Sequence, residues 1–151
     1  MIIVTINGES KEFSSLDINI KEEVQEEIQE FDFGDGLVKA HRHINKNGDL
    51  GGWVADSATV AESAYVGKDA KIYGNAEIYG NAWVYGNARV YGNAWICGNA
   101  EIYGNARVYG NARVYGNAWV YGNARVYGNA WICGNAEIYG NAWVYGNARV
   151  Y

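Results

Sequence analysis

From Trp53 onward an aliphatic residue recurs at every sixth position: Val54, Val60, Val66, Ile72, Ile78, Val84, Val90, Ile96, Ile102, Val108, Val114, Val120, Val126, Ile132, Ile138, Val144 and Val150. Two residues before each stands a small one, Gly52 first and then Ala58, Ala64, Ala70 and so on to Ala148. From Tyr73 the unit is close to invariant, Tyr-Gly-Asn-Ala-x-Val/Ile, with Cys97 and Cys133 replacing Tyr. A period of six would scatter these aliphatics around an α-helix. Strands accommodate it, because in Ala-x-Val-Tyr the alternation sends Ala and Val to one side and x and Tyr to the other. The Gly-Asn pair then turns a corner, since Gly has no Cβ penalty and Asn tolerates the left-handed conformation. Three such sides make a coil, and coils stacked roughly 4.8 Å apart pair their strands in parallel.

The predicted fold is therefore an all-β solenoid, a parallel β-helix with triangular 18-residue coils over residues 51–151, preceded by a small α+β cap over residues 1–50. Its interior takes only Val, Ile and Ala and has no space for 13 Tyr rings. The earliest repeats agree with that sidedness: the outward Tyr gives way to Ala55, Ala61 and Gly67 while the inward Ala and Val persist.

In the first fifty residues, Ile2 to Ile6 alternate as a strand, Asn7-Gly8 is a hairpin-turn signal, and Lys11 to Phe13 suit the return strand. Asn19 with Glu22 reads as a helix capping box, with Ile20, Val24 and Ile28 on one face and Glu22, Glu23, Glu26, Glu27 and Glu30 on a solvated one. Phe31 to Gly36 closes that helix, and Leu37 to Ile44 is a strand leading into the first coil. A terminal coil exposes apolar interior and unpaired backbone, so covering it is the natural role of such a segment.

The formal charge of −5 is uneven: residues 1–50 hold 11 acidic and 5 basic side chains, residues 51–151 hold 6 and 7. A near-neutral repeat region makes general nucleic-acid binding an unfavoured use. The start Met1-Ile-Ile-Val-Thr-Ile lacks the basic segment of a secretory leader, which predicts a cytoplasmic protein, and no stretch is long enough to span a membrane. Cys97 and Cys133 lie two coils apart, beyond the reach of a disulfide, and read as small surface thiols with an intermolecular bridge as the alternative.

These residues resemble the hexapeptide-repeat left-handed parallel β-helix family, whose pattern is an aliphatic residue, turn residues, and a small residue four places on. The segment Gly48-Asp-Leu-Gly-Gly-Trp53 leading into Tyr-Gly-Asn-Ala repeats is similar to poorly characterised bacterial and prophage proteins that join an N-terminal cap to such a solenoid. The resemblance implies left-handed winding, which periodicity alone does not set, and it implies fold more than activity. Acyltransferases of this family use a His from the coils, often with loops that shape a pocket, and its carbonic anhydrases hold zinc with His.

Here the only histidines, His41 and His43, precede the repeat, and no loop interrupts residues 53–151. No catalytic residue, cofactor or metal is therefore expected, and an acyltransferase-like enzyme is a minor alternative. His41, His43 and Asp49 sketch at most half a metal site beside a structural surface pair, and Gly34-Asp-Gly36 lacks the strand-loop-helix setting of a phosphate loop.

The residue before each aliphatic sorts into three columns by coil position. One runs Trp53, Lys71, Arg89, Arg107, Arg125, Trp143; the second Thr59, Glu77, Trp95, Arg113, Trp131, Arg149; the third Tyr65, Trp83, Glu101, Trp119, Glu137. The structural account is mutual support by stacked Tyr, Trp and Arg. The functional account makes Lys71, Arg89, Arg107 and Arg125, with Tyr91, Tyr109 and Tyr127, a face for an anionic polymer, or the Trp columns a face for a glycan or protein. The sequence stops mid-coil, so Trp143, Val144, Tyr145, Arg149, Val150 and Tyr151 form a candidate assembly edge, or mark a cut through a longer array. The identical blocks Trp83 to Ala106 and Trp119 to Ala142 fit duplication of a two-coil unit. The expected function is a non-enzymatic structural or assembly module that associates with copies of itself, plausibly in a phage-like or cell-surface assembly. The binding module is the alternative.

Overall fold

A computed structural model describes the backbones of Ile2–Ile6 and Glu9–Phe13 and the continuous stretch 29–151. The first two segments, β1 and β2, form the expected antiparallel hairpin, with Ile2 opposite Phe13 and Ile6 opposite Glu9. The helix expected around Ile20, Val24 and Ile28 lies outside the described residues. Among the described residues every regular element is a strand, and the repeat region is an all-β solenoid of about five coils.

After β3 (Glu30–Asp32), β4 (Leu37–Ile44) and β5 (Leu50–Ala55), two-residue strands recur every six positions from β6 (Thr59–Val60) to β21 (Arg149–Val150). They fall into three parallel sheets, each joining residues 18 apart. The first continues from β5 through β8 (Lys71–Ile72), β11 (Arg89–Val90), β14 (Arg107–Val108) and β17 (Arg125–Val126) to β20 (Trp143–Val144). The second runs from β6 through β9 (Glu77–Ile78), β12 (Trp95–Ile96), β15 (Arg113–Val114) and β18 (Trp131–Ile132) to β21. The third holds β7 (Tyr65–Val66), β10 (Trp83–Val84), β13 (Glu101–Ile102), β16 (Trp119–Val120) and β19 (Glu137–Ile138). All three predicted columns are thus real registers.

Hydrogen bonding extends beyond the short strands and accounts for the repeat's composition. Lys71 N–H donates to Ala88 C=O at 3.0 Å, Tyr73 N–H to Val90 C=O at 3.0 Å, and Asn75 N–H to Gly92 C=O at 2.8 Å. The same three donations recur along the coils, so both the side and the corner of each triangle are bonded to the next coil. Every corner glycine from Gly74 to Gly146 has φ between 62° and 71°, which an L residue adopts only at a cost. Within the prism, Val54 and the inward Val and Ile from Val66 to Ile132 are fully buried, packed on the inward alanines. Each such side chain contributes about 1.5 to 3 kcal/mol of gross burial free energy, the main term set against ordering the backbone.

Two details differ from expectation. Phe31 to Gly36, expected to close the helix, holds strand and turn: Phe31 lies in β3, and Asp32 Oδ1 accepts the N–H groups of Gly34 (2.7 Å) and Gly36 (3.0 Å) to shape the turn into β4. β4 is a strand over the predicted residues, yet it runs antiparallel to β5, with His41 opposite Val54 and Arg42 opposite Trp53. It leads into the first coil through the Asn45–Asp49 turn, which reverses the chain, so it adds an antiparallel strand to the first sheet ahead of β5.

Candidate functional site

On the first sheet the outward row is Trp53, Lys71, Arg89, Arg107, Arg125 and Trp143, one residue per coil. Beside it Tyr73, Tyr91, Tyr109 and Tyr127 stack face to face with centroids 4.7 to 5.0 Å apart and planes within 3°. Tyr145 continues that stack at 5.3 Å, and Phe33 begins it at 4.8 Å from Tyr73. The ends of the cation row meet rings: Lys71 Nζ lies 5.7 Å from the Phe31 centroid and the Arg125 guanidinium 5.1 Å from that of Trp143. Arg89 and Arg107, between them, have neither a carboxylate nor a ring partner among the described residues. Burial in the stack raises the Tyr91 phenol above its ordinary pKa, helped by Tyr73 and Tyr109 and opposed by Arg107 and Arg125. All seven residues expected to form a binding face thus lie on one face in two adjacent rows.

The second face is built differently. The Arg113 guanidinium sits between two indoles, 5.2 Å from Trp95 and 5.3 Å from Trp131, and Arg149 covers the other side of Trp131 at 4.7 Å. Each cation here has a ring where the first face stacks cation on cation. A groove of about 520 Å³ follows this column, lined by Glu77, Trp95, Arg113, Asn75, Asn93 and Asn111. Cys97 and Cys133 take the Tyr positions and are free thiols, but Cys133 is buried, contrary to the expected surface placement. Tyr115 and Tyr151 stand one coil before and after Cys133 in the same column, and the short side chain between them is buried. Burial likewise raises the Cys97 thiol pKa.

On the third face the glutamates are partners of tyrosines as well as spacers between indoles. Tyr85 Oη donates to Glu101 at 3.2 Å and Tyr121 Oη to Glu137 at 3.4 Å. Burial, reinforced by the Glu101 carboxylate, raises the Tyr85 phenol to about 12.

The corners carry a feature that sequence reasoning missed. Asparagine amides form ladders of their own: Asn87 donates to Asn105 at 3.5 Å, Asn105 to Asn123 at 3.3 Å, and Asn123 to Asn141 at 3.3 Å. The other two corners repeat this through Asn93 to Asn111 and Asn99 to Asn117. The invariance of Asn at every corner from Asn75 on was the signal, and conformational tolerance alone accounted for only half of it.

His41 and His43 do not act together. His41 is exposed and its Nδ1 lies 2.7 Å from Asp56 Oδ1, whereas His43 is buried with Nε2 donating to the Ala64 carbonyl at 3.1 Å. Asp49 is held by Asn47 in the turn, so the sketched metal set is dispersed. Of the candidate assembly residues, Trp143 and Val144 form β20 and Arg149 and Val150 form β21, with both valines half-buried and Tyr145 and Tyr151 exposed.

The coil, its three parallel sheets and its outward ladders define a β-solenoid repeat protein. A family model described as YdcK beta solenoid repeat matches residues 82–98, 100–116, 106–122 and 118–134, and three of these matches begin 18 residues apart, one coil each. The chain is similar to that family over these segments. No curated protein and no solved structure matches it.

Proposed function

We propose that this chain is a non-enzymatic structural module, a rigid solenoid rod that associates with copies of itself. The observation that carries the proposal is the unbroken register from Trp53 to Tyr151, in which each coil hydrogen-bonds the next and no insertion opens the core. Both histidines are engaged by the chain itself, His41 with Asp56 and His43 with Ala64, which favours a structural over an acyl-transfer role. The register also supplies a mode of association. Each coil offers its neighbour the same row of backbone donors and acceptors, so a coil of a second copy with this repeat could pair with the last described coil. Trp143, Val144, Tyr145, Arg149, Val150 and Tyr151 are the residues that would touch it. The left-handed winding implied by the hexapeptide resemblance belongs to this proposal, as does a cytoplasmic, phage-like or cell-surface setting.

Light scattering over a concentration series tests it. The parent is expected to gain mass with concentration, and Val150→Lys or Val144→Pro to hold it at the monomer mass. A parent that stays monomeric throughout, or variants that assemble as the parent does, would end the proposal.

A further inference from the structure

The first face carries an arrangement that a purely structural row does not need. Lys71, Arg89, Arg107 and Arg125 occupy directly paired positions on consecutive strands, where like charges oppose each other. The second face relieves that problem by interleaving Trp with Arg, and the third by interleaving Trp with Glu. On the first face no Glu or Asp enters the row between Trp53 and Trp143. Alongside, the hydroxyls of Tyr73, Tyr91, Tyr109 and Tyr127 have no hydrogen-bond partner among the described residues, whereas Tyr85 and Tyr121 on the third face donate to glutamates. A line of unneutralised cations with a parallel line of phenol donors is complementary to a chain of regularly spaced anions and hydroxyls.

The geometry further selects among polyanions. Single-stranded nucleic acid gains affinity by stacking bases on open aromatic faces, but each tyrosine of this ladder has its faces covered by its neighbours within 3° of parallel. An extended acidic peptide gains affinity from a free sheet edge, and this row lies on a sheet face. Its like-facing carboxylates would also recur at about 6.6 Å, against coils roughly 4.8 Å apart. Guanidinium groups and phenol hydroxyls remain, which suit carboxylate or sulfate groups and sugar hydroxyls.

We propose that the Lys71, Arg89, Arg107 and Arg125 row, with the adjacent tyrosine hydroxyls, binds a linear acidic polysaccharide laid along the solenoid axis. The site goes beyond the structural role and does not require self-association, since it lies wholly within one chain.

The test titrates the intact protein with polygalacturonate and heparin as carboxylated and sulfated probes, dextran as the neutral control, and oligo-dT and poly-glutamate as the competing classes. At least one acidic glycan is expected to bind, with affinity falling as salt rises. Arg89→Gln with Arg107→Gln is expected to weaken binding about tenfold or more, while the lysine pair at the same positions retains most of it. Arg113→Gln with Arg149→Gln, on the second face, is expected to change it less than about twofold, because those cations are held by indoles. Bound glycan should also shield Arg89 and Arg107 of the unmodified chain from phenylglyoxal, a readout independent of how any variant folds. Failure of both acidic glycans to bind at low salt, equal binding of oligo-dT or poly-glutamate, equal losses from the two faces, or absence of shielding would each overturn the assignment.

Discussion

Asn45 and Val66 exchange two hydrogen bonds: the Asn45 amide donates to the Val66 carbonyl at 2.9 Å, and the Val66 N–H donates to Asn45 Oδ1 at 2.9 Å. A side chain thus stands in for the missing preceding strand of the third sheet, whose first described strand is β7, and His43 adds a third bond to Ala64. Val66 is fully buried and Asn45 nearly so, which leaves little opportunity for water to replace these bonds. Asn45→Ala should therefore cost about 3 kcal/mol in urea unfolding, since two buried backbone groups lose their partner. Asn87→Ala, at an exposed corner, should cost under about 0.5 kcal/mol. Equal costs at the two sites would show that Asn45 is not closing the edge.

The corner glycines make a sharper comparison. A Cβ on Gly86 would come within 2.9 Å of the Gly104 nitrogen, whereas one on Gly146 meets nothing within 4 Å, although both residues have nearly the same φ. Gly146→Ala isolates the conformational cost, about 1 to 2 kcal/mol. Gly86→Ala adds a backbone collision that must push two coils apart, so its total should be about 3 kcal/mol or more. Denaturant midpoints of the two variants give the difference, and a Gly86 variant no worse than the Gly146 variant would mean that coil spacing is soft.

Much of this architecture was legible because a period of six leaves few solutions. The spacing of Val and Ile with Ala two places earlier dictated which side faced inward, and counting by 18 placed Arg89 beside Arg107 and Trp95 beside Arg113 before any coordinates. Sequence was mute where one residue does the work of a repeat. Nothing in Asn45 or His43 advertises that they bond Val66 of β7 and Ala64 just before it, because each pairing spans 21 residues and depends on where β4 turns back. The burial of Cys133 was missed for a related reason: outward position was equated with exposure, although a short side chain set between the tyrosine positions of the coils on either side is buried.

Acid and alkali should act through different groups, His43 and Tyr85. Burial lowers the His43 pKa below its ordinary 6.5, with the Ala64 bond opposing and His41 assisting. The unfolded chain then binds the proton more readily than the folded one, so this contribution is complete above pH 6.5 and is lost as pH falls below it. For Tyr85 the sign reverses: a phenol raised to about 12 favours the protonated folded state, and stability is lost as pH climbs from 10 toward 12. His43→Gln should flatten the acid limb of a stability profile, and Glu101→Gln should bring the Tyr85 phenolate transition, read by ultraviolet absorbance, to lower pH. An unchanged acid limb in the first variant would remove His43 as its source.

The same substitution should have opposite effects on two faces of the rod. Arg107 stands between Arg89 and Arg125 with no counter-charge, while Arg113 stands between two indoles. Arg107→Gln removes two like-charge contacts at the cost of part of a half-buried aliphatic stem, and a net gain of a few tenths of a kcal/mol is expected at low salt. Arg113→Gln gives up two cation–π contacts and should lose about 1 kcal/mol. Raising ionic strength to about 1 M shortens the screening length to about 3 Å, below the spacing of the coils, so the gain at Arg107 should vanish there. The loss at Arg113 should change less, because it comes from lost contact with two ring faces and not from relief of like-charge repulsion. Thermal unfolding of both variants at two salt concentrations separates these outcomes, and a loss at Arg107 that is independent of salt would mean that its row is held together by stem packing and not opposed by charge.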